Sequence, residues 1–141
     1  MPYQGCYFGD CDFAPRSLEA VKDFRRLEVW QKSHKMSLTL YQETALFPGD
    51  ERFGLTSQMR RCCVSIEANI AEGCGRSGDP DFRRFLHIAL GSASELDCEL
   101  LLARDLGFLK TEPYQKLFNE LRSVKAMLST LIRKIDADEN G

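Results

Sequence analysis

The chain has 141 residues, 43% of them hydrophobic and 28% charged, which suits one globular domain with a real core and leaves little for a second. Its apolar runs are only a few residues long, against the roughly 20 needed to cross a bilayer, and no basic segment with an apolar block opens the chain, so a cytoplasmic protein without membrane contact is expected. The net charge of −2 is uneven: residues 24–135 hold 17 Lys and Arg against 14 Asp and Glu, and the flanks hold 2 against 7, which excludes a strongly basic nucleic-acid footprint but not a local basic patch.

Residues 1–23 combine Pro2, Gly5, Gly9 and Pro15 with scattered aromatics and show no period, so they read as an irregular extension in which Ser17 opens a short turn as far as Val21. Four segments of helical period follow. The first spans Leu27–Leu46, with Val29, Ser33, Met36, Leu40 and Thr44 in one stripe, Trp30, Ser37 and Tyr41 beside it, and Pro48-Gly49 as its stop. The second starts between Asp50 and Leu55, and Leu55, Met59, Cys62, Ile66 and Ile70 recur at spacings of three and four before Gly73, Gly75 and Gly78 close it.

The third has the clearest start, with Asp79 as N-cap and Pro80 at the first helical position, where its missing N–H costs nothing. Its stripe is Phe82, Phe85 or Leu86, Ala89, Ala93, Leu96, Leu100 and Ala103, and Leu106-Gly107-Phe108 reads as a glycine stop with the next apolar residue folded back. Thr111 and Pro113 open the fourth, whose stripe is Leu117, Leu121, Val124, Leu128, Leu131 and Ile135; the acidic end from Asp136 is expected to fray, which bounds the domain at 24–136 with 137–141 as an acidic tail. Four long helices on short loops predict an all-α, antiparallel up-down-up-down four-helix bundle.

Several helices carry more apolar surface than one core uses: Ile88, Leu90, Leu101 and Leu102 on the third, Tyr114, Phe118 and Ile132 on the fourth. A second stripe of this kind predicts a homo-oligomer, the alternative being a wide core in a monomer. The six cysteines, at 6, 11, 62, 63, 74 and 98, lack the paired short spacings of structural zinc, and neither His34 nor His87 has a glutamate three residues before it, so neither a zinc nor a di-iron site is expected. Cys62, Cys63, Cys74 and Cys98 read as small apolar core residues with free thiols. No nucleophile–base spacing supports an enzyme, and no cofactor is expected.

The run Ser65–Gly73 places Asn69 and Glu72 beside the apolar stripe, where polar groups need partners. Asn69 is read as tying the helix to a neighbouring loop or helix end and Glu72 as pairing with Arg76 at i,i+4; Gly91 is read as a close contact between helices and Glu95 as the partner of an arginine. Losing the Asn69 bonds should cost on the order of 1–3 kcal/mol. Arg60, Arg61, Arg76, Arg83 and Arg84 are the candidate phosphate-binding residues, and Arg76 with Arg83-Arg84 flanks one loop. The alternative is that they bond Asp79, Asp81, Glu67 and Glu72; aromatics able to stack bases are not interleaved with them in sequence.

In order along the chain stand Phe24-x-x-Leu27-x-Val29-Trp30-Gln31-Lys32, Phe47-Pro48, Gly54-Leu55-Thr56-Ser57-Gln58-Met59-Arg60-Arg61, Ser65-Ile66-x-Ala68-Asn69-Ile70-Ala71-Glu72-Gly73 and Ala89-Leu90-Gly91-Ser92-x-x-Glu95-Leu96. Together these resemble the bacterial four-helix bundle protein family, the 23S rRNA intervening-sequence proteins, whose members also carry the label of small ribosomal proteins. The resemblance covers Phe24 to Ile135; Glu67 stands where the family usually has proline, and residues before Phe24 lie outside the pattern. It implies a bundle assembled into a ring, commonly a pentamer, and a relation to the accessory proteins of diversity-generating retroelements, which bind a reverse transcriptase and nucleic acid through a positive surface. The expected function is a non-enzymatic homo-oligomeric scaffold or adaptor with RNA or a ribonucleoprotein as candidate partner. The alternatives are a protein-binding oligomer without nucleic-acid affinity and, more distantly, an enzyme using a cleft between helices.

Overall fold

In the computed structural model residues 23–140 are described; the expectations for 1–22, the Ser17 turn and Cys6 and Cys11 included, lie outside that range. The described residues form four α-helices and no strand: α1 (Glu28–Thr44), α2 (Leu55–Cys74), α3 (Asp79–Asp105) and α4 (Thr111–Glu139), with short 3-10 turns at Phe24–Arg26 and Gly49–Glu51. None of these helices is long and apolar enough to cross a membrane. Helix α1 packs on α2 and α4, and α3 packs on α2 and α4, so each helix has two neighbours around one core.

The core follows from the helical period. On α1 all of Val29, Ser33, Met36, Leu40 and Thr44 are buried, the hydroxyls of Ser33 and Thr44 donating to the carbonyls of Val29 and Leu40 one turn back. Ser37 is also buried and donates to the Ser33 carbonyl. These back-bonds let three hydroxyls sit inside without an unmet donor. Helix α1 ends at Thr44, earlier than Leu46, and the chain tucks Phe47 into the core against Phe108, with ring centroids 5.8 Å apart.

The ends of α2 and α3 correct two sequence expectations. Gly73 is buried inside α2 instead of closing it; a β-carbon there would lie 2.9 Å from Phe82 Cδ2 and 3.0 Å from Phe85 Cβ, so it is Gly73, at the contact with α3, whose missing side chain is needed. Gly91, expected at a close contact, is exposed with open space where a β-carbon would go. The cap of α3 is Gly78, at φ +95°, and Asp79 is already helical. The far end of α3 closes as the Leu106-Gly107-Phe108 pattern predicts. Gly107 takes φ +79°, its N–H donates to the Arg104 carbonyl and the Phe108 N–H to the Ala103 carbonyl, both at 2.9 Å, which is the paired bonding of a Schellman stop.

On α4 the core stripe is Leu117, Leu121, Val124, Leu128, Ile132 and Ile135, with Tyr114 at its start. Ile132 thus takes the inner position assigned to Leu131, which is half-buried. Because a 3.6-residue turn drifts against a fixed three-and-four spacing, the inward residue near the end of a long helix shifts by one. Tyr114 and Ile132 therefore belong to the chain's own core and not to an outer stripe; Phe118 is half-buried and stacks on Tyr114 at 5.9 Å, while Ile88, Leu101 and Leu102 are exposed. The acidic end does not fray at Asp136 but stays helical to Glu139, held by the Arg83 guanidinium of α3 across both carboxylates.

Candidate nucleic-acid interface

The residues around the start of α2 form an open concave surface. Pro48 opens the Gly49–Glu51 turn that reverses the chain after α1, and the Glu51 carboxylate accepts from the Leu55 N–H at 3.0 Å, capping α2. This turn leaves Arg52 and Phe53 projecting just before the helix, with Phe53 89% exposed. The first two turns of α2 then place Thr56, Ser57, Arg60 and Arg61 beside them.

Together with Tyr41, Val64 and Ser65 these residues line a groove of about 610 Å³. Its wall holds three arginines, two aromatic rings and three hydroxyl residues, and no carboxylate. Arg60 is anchored: its Nε donates to Thr44 Oγ1 at 2.9 Å and its Nη2 to the Tyr41 carbonyl at 3.3 Å, and its guanidinium lies 4.6 Å from the Tyr41 ring centre. It thereby meets two acceptors at the end of α1, where cations are favoured. Arg52 lies over the Phe53 ring at 5.5 Å. Among the described residues neither Arg52 nor the exposed Arg61 takes part in an ion pair, so both are available to an outside anion.

The arginines at the α2–α3 loop are placed differently. Arg83 bonds Asp136 at 2.8 Å and also Glu139, and these partners raise its pKa further. Arg76 pairs with Glu72 at 2.9 Å, and Arg84 approaches Asp81 at 3.8 Å. Arg76 and Arg84 also flank the Phe85 ring, at 5.2 and 4.6 Å from its centre. The structure thus brings Arg76 and Arg84 together and turns Arg83 toward α4, with a carboxylate against each.

The remaining sequence candidates lie along the α2–α3 contact. Asn69 donates to the Ser65 carbonyl at 2.7 Å and to Ser65 Oγ at 3.1 Å, and Ser65 Oγ meets Ser92 Oγ of α3 at 2.8 Å. Asn69 therefore ties to its own helix and reaches α3 through Ser65, instead of bonding a loop directly. Glu72 is exposed, not set beside the core, and its pair with Arg76 is a surface pair. Glu67 meets His34 Nδ1 of α1 at 3.0 Å. Glu95 is exposed and has no arginine within ion-pair distance among the described residues; it faces Cys62 and Glu99. Cys62, Cys63 and Cys74 are buried as expected, and burial pushes the Cys63 thiol up to about 12, whereas Cys98 is exposed.

Sequence reasoning passed over Tyr41, Arg52 and Phe53 as parts of a basic surface. The available signal was Arg52-Phe53 between Pro48-Gly49 and the start of α2, a cation and an aromatic on a turn too short to bury either.

An all-α protein of four packed helices with a basic, aromatic-edged groove is the class that this fold and surface define. Residues 25–130 match the model of the 23S rRNA-intervening sequence protein family, and the chain belongs to that family. A crystal structure of a protein of unknown function from the S23 ribosomal protein family of Bacteroides thetaiotaomicron is similar at 26% identity and a TM-score of 0.69, covering 74% of this chain and 95% of that one. No curated protein matches.

Proposed function

We propose that this protein is a non-enzymatic scaffold that binds RNA through the groove between the start of α2 and the end of α1. The observation that carries the reading is the groove's composition: Arg52, Arg60 and Arg61 beside Phe53 and Tyr41, with hydroxyls and no carboxylate on its wall. Arginine meets phosphate through a planar fork, exposed rings stack on unpaired bases, and neither contact needs a particular sequence.

In this reading the four helices run up-down-up-down and antiparallel, supported by contacts that pair residues in opposite order: Thr44 with Arg60 and His34 with Glu67, Cys62 with Glu95 and Gly73 with Phe82, Arg83 with Asp136 and Asp97 with Lys125. Identical subunits then close into a ring, supported by Ile88, Leu101 and Leu102 exposed on α3 and Leu106 exposed just after it. A ring repeats the groove on each subunit and turns weak contacts into avidity. Sedimentation of the purified protein checks this part, and a monomer at tens of micromolar would remove it.

Fluorescence anisotropy with structured and single-stranded RNA at increasing salt tests the ligand. Arg61→Ala should weaken binding and reduce the salt slope by about 0.7–0.9 per lost phosphate contact. Phe53→Ala should weaken single-strand binding by about 1–3 kcal/mol while changing stability by no more than about 0.5 kcal/mol, since the ring is almost fully exposed. The second reading, a protein-binding oligomer without RNA affinity, is favoured by the pairing of Arg76, Arg83 and Arg84 with carboxylates. Absence of binding at low salt would decide for it.

A further inference from the structure

A second groove, of about 400 Å³, runs along the α2–α3 contact and is lined by Gln58, Arg61, Cys62, Ser65, Ser92 and Glu95. Glu99, one helical turn beyond Glu95, is 6% exposed, and neither of its carboxylate oxygens has a hydrogen-bond partner. Proteins seldom bury a carboxyl group with both oxygens unmet, and each such group calls for an explanation. The nearest donor, the Cys62 thiol, eases the upward shift of the Glu99 pKa without satisfying either oxygen.

Ligand-capable atoms of Cys62, Glu95 and Glu99 all lie within 4.8 Å of one another. Glu95 and Glu99 share one face of α3 at i,i+4, and Cys62 opposes them from α2. The Ser65–Ser92 bond, one turn along α2 from Cys62, fixes the register in which they meet. In tetrahedral coordination a thiolate sulfur and a carboxylate oxygen stand roughly 3.5 Å apart. Glu95 is exposed and can swing inward to close the difference, whereas Cys62 and Glu99 are already held by packing.

We propose that Cys62, Glu95 and Glu99 bind one divalent transition-metal ion of zinc's class, with the fourth coordination position facing the groove. A thiolate with two carboxylates suits a borderline-soft ion, whereas magnesium and calcium select oxygen alone. Three protein ligands with an open position form an accessible site, not a closed structural one. Binding removes a proton from the Cys62 thiol, and from Glu99 where it is protonated, and the sulfur and oxygen lone pairs pass to the ion. One thiolate and two carboxylates around a dication leave one net negative charge, which Arg61 in the same groove offsets.

Cobalt(II) is the probe, titrated into the full chain bearing Cys6→Ser, Cys11→Ser and Cys98→Ser, which removes three of the five thiols outside the site and leaves the buried Cys63 and Cys74. One equivalent should give a sulfur-to-cobalt charge-transfer absorption with tetrahedral d–d bands, and zinc should bleach both. Cys62→Ser should abolish the charge-transfer band, and Glu99→Gln should weaken affinity at least about tenfold. Circular dichroism checks that each variant remains helical; if Cys62→Ser fails to fold, Glu99→Gln and Glu95→Gln carry the test through affinity. Absence of the band at one equivalent, its survival in folded Cys62→Ser, or unchanged affinity in both glutamine variants would overturn the site.

Discussion

Gly73 of α2 and Phe82 of α3 meet so closely that a β-carbon on the glycine would stand 2.9 Å from Phe82 Cδ2 and 3.4 Å from the Phe82 carbonyl oxygen. Phe82 is itself buried, and the Phe85 Cβ at 3.0 Å closes the other side, so the extra carbon must displace a packed helix. Gly73→Ala gains about 1 kcal/mol of helix propensity but overpacks the contact, and a net loss of about 1–2 kcal/mol is expected. Gly91→Ala meets nothing within 4 Å and should gain about 0.5–1 kcal/mol. Urea unfolding of the two variants side by side checks both signs; equal effects would show that the α2–α3 contact is not the reason for Gly73.

Arg83 provides a different test, because it divides a structural role from a ligand-binding one. Its guanidinium joins α3 to Asp136 and Glu139, 53 and 56 residues away. Arg83→Ala should therefore speed amide exchange over the last turn of α4, about residues 136–139, while leaving RNA affinity and its salt slope at the parent values. Weaker RNA binding and a smaller salt slope with unchanged exchange would reverse the assignment and return Arg83 to the phosphate-binding set.

These two cases show what the sequence could and could not carry. Helical period located the buried stripe of α1 residue by residue, because an apolar face must turn inward whatever it meets. The Gly107 stop was legible for a similar reason: its bonds close within six residues of chain. Period does not say which residue of a stripe meets which residue of the next helix. Gly73 therefore reads as a helix stop and Gly91 as a helix contact until α3 is in place and shows the contact at Gly73, and the Arg83 partners depend on how α4 ends. The candidate groove was half legible: Arg60 and Arg61 stood out as charges, but Tyr41 reaches them only through the α1–α2 packing, and Phe53 is notable only for an exposure that sequence does not reveal. Glu99 was the hardest: with Glu95 it suggests a carboxylate cluster inside a bundle, but without the histidines of a di-iron site the sequence does not reveal that its carboxyl is buried.

The Asn69, Ser65 and Ser92 relay should couple energetically. Asn69 is half-buried and its shortest bond goes to a carbonyl of its own helix, so Asn69→Ala should cost about 0.5–1.5 kcal/mol, a range centred on the lower end of the sequence-based one. Ser65→Ala removes an acceptor from Asn69 and the partner of Ser92 together. A double-mutant cycle of Asn69→Ala with Ser92→Ala should show an interaction energy of about 0.5 kcal/mol or more, carried by the shared hydroxyl of Ser65. Strict additivity would mean that the two bonds are independent and that Ser65 does not relay between the helices.

The buried Glu99 carboxyl makes the metal-free protein's stability depend on pH with a defined sign. Burial first, and then the neighbouring Glu95 charge, raise its pKa above the ordinary 4.5, with the Cys62 thiol opposing the shift. The folded chain therefore holds this proton more tightly than the unfolded chain, and the unfolding free energy falls as the unfolded form releases it. Below the unfolded value the carboxyl is neutral in both states and contributes no penalty. As pH climbs through 4.5 the penalty accumulates, and it levels off once the folded pKa is passed. Glu99→Gln keeps the shape without the charge, so it should unfold at a higher urea concentration at neutral pH and show a smaller decline between about pH 4 and the plateau. Urea titrations in chelator at several pH values measure this, and a parent slope retained in Glu99→Gln would place the linked proton on another group.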